Sequence, residues 1–204
     1  MKRAAFGVNM HSGWGVLVAV SCDSNSVEIL DRKRIVVAAP EIPGAIQPYH
    51  FAAQLDPPEQ EKHLAHCAES SSQLAATAIA GVVRELDERH YGIVGAAILL
   101  ASARPLPPLA KILAAHPLIH TAEGEFFRHA VHAACEGLHI PVTAIRAREL
   151  DERAKVAFAN SASQVQRSIA NLGSTVGPPW TKDHKTAALA AALILVRNKK
   201  AANR

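Results

Sequence analysis

Apolar runs separated by short polar breaks open the chain. Residues 4–9 (AAFGVN), 14–22 (WGVLVAVSC) and 27–38 are rich in Val, Ile and Ala and predict three strands. "DSNS", Asp23 to Ser26, has hairpin-turn composition between the second and third. Residues 39–56 then turn Pro-rich and lose all periodicity, which predicts a long loop leaving the sheet; ordered loops of that length often carry function.

A helical pattern follows. Asp56 stands in the N-cap position, Pro57 at the first helical position and Glu59 in the capping-box slot. Apolar residues from Leu64 through Cys67, Ala75, Ile79 and Val82 to Leu86 recur at three- and four-residue spacing, and Gly92 is read as the terminator. "IVGAAILLAS" (Ile93 to Ser102) is apolar without alternation, the pattern of a strand covered on both faces. A Pro-rich segment with a short helix or turn leads to a helix from about Glu123 to Leu138, with Phe127, Ala130, Val131, Ala134 and Leu138 inward. "IPVTAIRA" reads as a strand. Ser161 with Gln164 opens a short helix that Gly173 closes. The last element runs from about Thr181 to Arg197 and holds no charge between Thr186 and Val196, so it must be largely buried.

Three strands, then helix, strand, helix, strand and helices predict an α/β fold: an antiparallel region continuing into a parallel, mixed sheet flanked by helices. At 204 residues, with 49% hydrophobic positions and no repeat or low-complexity linker, the chain reads as one domain. No apolar stretch approaches the ~18 residues of a bilayer span, so a soluble cytoplasmic protein without membrane contact is expected. Cys22, Cys67 and Cys135 are odd in number and lack CxxC spacing, which argues against a disulfide framework. Charge adds an asymmetry. Residues 1–100 carry 8 basic against 11 acidic side chains, while residues 101–204 carry 14 against 7 and end in a basic tail, 197–204. A one-sided positive field of this kind suits a phosphate backbone, with Arg146, Arg148, Arg153, Lys155 and Lys182 as the candidate contacts.

Several stretches resemble one family. "GVN" followed by "SGWGVLV", "HAVHAACEGLHIPVTAIRARELDERAKVAF", "SASQVQRSIANL" and "KDHKTAALAAALIL" are similar, in that order, to segments of bacterial RuvC-type Holliday-junction resolvases, members of the ribonuclease-H-like superfamily. The resemblance implies a ribonuclease-H-like fold, a homodimer, and hydrolysis of DNA at four-way junctions by two divalent cations held on four carboxylates. Those carboxylates would stand on the first strand, on the fourth strand and twice, three residues apart, at the start of the last helix. Here Asn9 takes the first position, Gly95–Ile98 covers the second without an acid, Asp183 matches the third, and Thr186 replaces the fourth. Two dications need more negative charge than one carboxylate and one amide supply, and Lys185 repels cations further.

The expected function is therefore a catalytically impaired resolvase-like protein that binds duplex or branched DNA through its basic half. Asn9, Asp183 and His184 form the vestigial site, and His11 faces His184 if the first and last elements meet. No cofactor is expected, with magnesium or manganese on Asp183 and Asn9 required only if the site works. One alternative is a metal-dependent DNA endonuclease with a rebuilt site, and another is a non-enzymatic protein-interaction module. A second metal-ligating candidate lies elsewhere. Glu125, His129, His132 and Glu136 share one helical face, with His120 and Glu123 before them; Glu125, His129 and His132 are the alternative ligands, although polar residues are expected on that face in any case.

Overall fold

The computed structural model describes residues 1–23, 26–100 and 105–202, with backbone alone for residues 23 and 198–202. Ser24 and Asn25 of the expected turn, Ala101 and Ser102 of the expected strand and the last two residues of the basic tail lie outside the described residues.

Strands β1 (Lys2–Met10), β2 (Trp14–Asp23) and β3 (Ser26–Val36) form an antiparallel meander. Two later strands, β4 (Tyr91–Leu100) and β5 (Val142–Arg146), add parallel to the other edge of β1, giving the order β3-β2-β1-β4-β5. The α/β sheet foreseen from the strand pattern is therefore the one formed. Gly13 takes a positive φ of 75° in the turn between β1 and β2, and its carbonyl accepts from the Val37 and Ala38 amides. That turn thus sets the point where the chain leaves β3.

Side-chain alternation on β1 splits the core in two. Phe6, Val8 and Met10 face a layer made by α2 (Pro57–Glu88) and α4 (His116–Gly137). Ala5 faces α8 (Lys182–Ala202), together with Val16, Val18, Leu99 and Ile145. Helix α8 is buried all round from Ala187 to Leu195, as its uncharged run requires. α5 (Leu150–Phe158) and α6 (Ala162–Asn171) cover its outer side, and the single turn α7 (Gly173–Val176) follows them. Short helices α1 (Pro48–Ala52) and α3 (Leu109–Leu113) extend the α2/α4 layer, joined through the small apolar cluster of Ile112, Ile119, Ala122, Leu106 and Tyr49.

Several local expectations fail for identifiable reasons. Helix α2 stops at Glu88, with His90 rather than Gly92 in the left-handed conformation, at φ 61°. Gly92 lies within β4, because that strand must begin early enough to pair Tyr91 with Lys2. Neither capping box forms: Asp56 and Ser161 make no side-chain cap, and Glu59 pairs with Lys62 instead. Gly173 begins α7, and Gly177, at φ 75°, ends it. Helix α4 starts seven residues before Glu123, at His116, with Pro in its first turn. Leu138 is exposed beyond its end. The stripe of α2 also includes a polar residue, Ser71, whose hydroxyl donates to the Val37 carbonyl and so ties the exit of β3 to the helix.

Candidate functional site

The carboxyl end of β1 and the amino end of α8 meet because Gly7 has no side chain. A Cβ there would collide with the Ala187 carbonyl, so helix backbone lies directly on strand backbone. One turn earlier in α8 stands Asp183, and two residues later in β1 stands Asn9. Asn9 Nδ2 donates to Asp183 Oδ1 at 2.9 Å, and His11 Nε2 meets Oδ2 at 3.1 Å. The His11 ring stacks on Trp14, with centroids 4.3 Å apart, and the Arg34 guanidinium covers that indole at 3.7 Å from the ring centroid. Asn9 and Asp183 are thus brought together as expected, with His11 as a third member.

These residues do not fit two dications. The amide nitrogen of Asn9, not its oxygen, points at Asp183, so both carboxylate oxygens already hold hydrogen-bond donors. Val8 pairs with Ile98, which sets Leu99 beside Asn9, and Leu99 is buried on the same α8 face. The Thr186 hydroxyl donates back to the Lys182 and Asp183 carbonyls within its own helix. Among the described residues no further acid, His or Cys joins Asp183 and His11 to make a metal-ligating group. No step through magnesium or manganese follows from this geometry.

His184 is turned away from that group. Its Nδ1 accepts from the Thr181 amide at 3.3 Å and meets the Thr181 hydroxyl at 2.8 Å. A side chain at the third helical position reaching back to the preceding amide is the reciprocal half of a capping box, so His184 closes the start of α8. Burial, then the nearby Arg32 charge, hold its pKa below the usual His value, while Asp183 opposes them. Arg32 itself, on β3, donates to the backbone carbonyls of Val176, Gly177, Pro178 and Pro179 at 2.6–3.2 Å. It clamps the segment that leads into α8. Trp180 completes the seat, its indole N–H donating to Ile169 O at 2.8 Å.

The basic candidates divide in two. Arg146 and Arg153 both pair with Glu149, and Lys155 pairs with Glu152 at 2.6 Å. The hydrogen bond from Arg153, helped by Arg146, holds the Glu149 carboxyl below its usual range. Arg148 and Lys182 are exposed and make no ion pair among the described residues. The unpaired part of the expected surface is therefore narrower than the sequence suggests.

The alternative set on α4 does not converge. Glu125 is held by Arg128 at 3.0 Å, and Arg128 also donates to Leu99 O. His132 pairs with Glu136 at 3.3 Å, and His129 is exposed above a groove between α2 and α4. Residues three and four apart on a helix are neighbours, but here Glu125 pairs with Arg128 and His132 with Glu136. Three histidines do converge: His50, His116 and His120, the first from the 39–56 loop. Only His120 was near the residues singled out from sequence, and the loop's length was the one signal for His50.

No protein-family model matches the sequence, and no curated protein matches it. Solved structures do. The RuvC of Thermus thermophilus in complex with a Holliday junction substrate superposes with a TM-score of 0.56 at 11% identity, over 97% of this chain and 96% of that one. A second Thermus thermophilus RuvC structure gives a TM-score of 0.54 at 12% identity, over the same shares. The fold is therefore ribonuclease-H-like, similar to that of RuvC across nearly the whole chain. No helix among the described residues is long and apolar enough to cross a membrane.

Proposed function

We propose that this chain is a resolvase-like nucleic-acid-binding protein that has lost two-metal cleavage. The observation that carries this reading is the closed group of Asn9, Asp183 and His11, standing where the resemblance calls for four carboxylates. A single carboxylate that already accepts from an amide and an imidazole offers little to a pair of hard dications, which need several anionic oxygens. Binding is supported by the basic excess of residues 101–204 and by the exposed Arg148 and Lys182, which make no ion pair among the described residues. Arg146, Arg153 and Lys155 supplement them, since half-exposed ion pairs are weak enough to be exchanged for phosphate contacts. A homodimer belongs to the same reading, and light scattering measures it.

Fluorescence anisotropy with a four-way junction and a matched duplex tests binding. If about four phosphates are contacted, affinity drops roughly a hundredfold between 50 and 200 mM salt. Replacing Arg148 and Lys182 by Ala then lowers the salt slope by about two. Salt-insensitive binding, or none at low salt, rejects the proposal. Incubation of the same DNA with magnesium or manganese should leave it intact; cleavage abolished by Asp183→Ala would instead establish a rebuilt nuclease.

A further inference from the structure

The 39–56 loop carries a feature that nucleic-acid binding does not use. His50 lies in α1, while His116 and His120 lie one turn apart at the start of α4. One nitrogen from each falls within 4.8 Å of the other two. Ring centroids are 4.4–5.1 Å apart, each pair edge to face. Behind His50 stands Glu123, only 2% exposed, whose Oε1 accepts from the His50 amide at 3.2 Å and meets His50 Nδ1 at 2.8 Å. That bond orients the ring and leaves Nε2 as its free nitrogen.

We propose that His50, His116 and His120 bind a zinc-class divalent ion, with Glu123 as the carboxylate that orients His50 from behind. Metal-bound imidazoles usually give their second nitrogen to a carboxylate or carbonyl, which fixes the tautomer and raises basicity. Three neutral imidazoles without an anionic oxygen favour zinc, cobalt, nickel or copper over magnesium. Zn–N bonds of about 2.05 Å on a tetrahedron set the nitrogens about 3.3 Å apart. The nitrogens already lie within 4.8 Å of one another, and His116 and His120 are exposed, so rotation of their rings can bring them closer. Burial does not account for the cluster: His116 and His120 are both exposed. Three protein nitrogens leave a fourth position facing solvent, for water or an added ligand. The cluster of Ile112, Ile119, Ala122 and Tyr49 braces α1 against α4, so ligands distant in sequence are held together before the ion arrives.

Titration of the metal-free protein with cobalt, followed by visible absorption, tests the assignment. One equivalent should give the intense ligand-field bands of a four-coordinate site, and zinc should abolish them. Added azide should shift the bands by taking the fourth position; an unchanged spectrum overturns an open site. The double variant His116→Ala/His120→Ala should lose the bands, while His129→Ala/His132→Ala should keep them. Bands surviving the first pair, or lost with the second, overturn the proposal, and both variants are surface changes whose far-UV circular dichroism reports folding. Glu123→Gln should weaken affinity about tenfold to a hundredfold while the bands persist at saturation. An unchanged affinity would remove Glu123 from the site.

Discussion

The two faces of the sheet carry two polar clusters of opposite character. On the α8 face, Asn9, Asp183 and His11 meet and satisfy one another, leaving both carboxylate oxygens occupied. On the α2/α4 side, His50, His116 and His120 turn nitrogens toward a common point, and the buried carboxylate stands behind them. A cluster's chemistry thus depends both on which residues it contains and on which partners its polar atoms already meet. Asp183 meets two donors, whereas the three histidines gather without an acid among them.

The largest effect that would break this contrast is a methyl group at Gly7. Gly7→Ala forces α8 off β1 and should cost about 3 kcal/mol, because the obstructing atom is backbone and cannot rotate away. Urea denaturation measures it, and a variant as stable as the parent would refute the close approach. The contrast itself is sharpened by metals. Zinc at a hundred times its dissociation constant should add about 2.7 kcal/mol to stability, whereas millimolar magnesium should leave the melting temperature unchanged. A magnesium-dependent rise abolished by Asp183→Ala would show that the Asp183 group is open after all.

Arg32→Met should cost about 2 kcal/mol, since one charged donor serves four carbonyls ahead of α8. A smaller effect comes from acid. His184 has a lowered folded pKa, so the unfolded chain takes up its proton first, near the ordinary value of 6.5. Its contribution to stability is complete above that value and is lost as pH falls through the folded one. His63, lowered by burial and by His66, acts with the same sign. Melting curves from about pH 7.5 to 5 should show the decline, and His184→Gln should flatten it. The smallest change is Asp183→Asn. The His11 pair is 39% and 31% exposed, so its loss should cost under about 1 kcal/mol in denaturant melts.

Much of the fold was legible because its signals are local. Alternating or unbroken apolar runs marked all five strands, and the long stripe from Cys67 to Leu86 marked α2. Asn9 and Asp183 were legible as a pair only through the order of elements around them. The start of α4 was not: Pro117 suggested a loop, yet a proline in the first turn of a helix leaves no bond unmade. Glu123 resembled a surface acid at a helix start and is instead buried against His50.

By itself the sequence determined the five strands, the helix α2 and the burial of α8, since periodicity and the absence of charge act over neighbouring residues, whereas α1 within the expected loop and α5 carried no such signal. Tertiary structure alone decided that Asp183 meets Asn9 and His11, that His184 caps a helix, and that three histidines converge. Each of those outcomes turns on where a lone pair or a donor meets a partner from another element, and chain folding, not spacing along the chain, sets those distances.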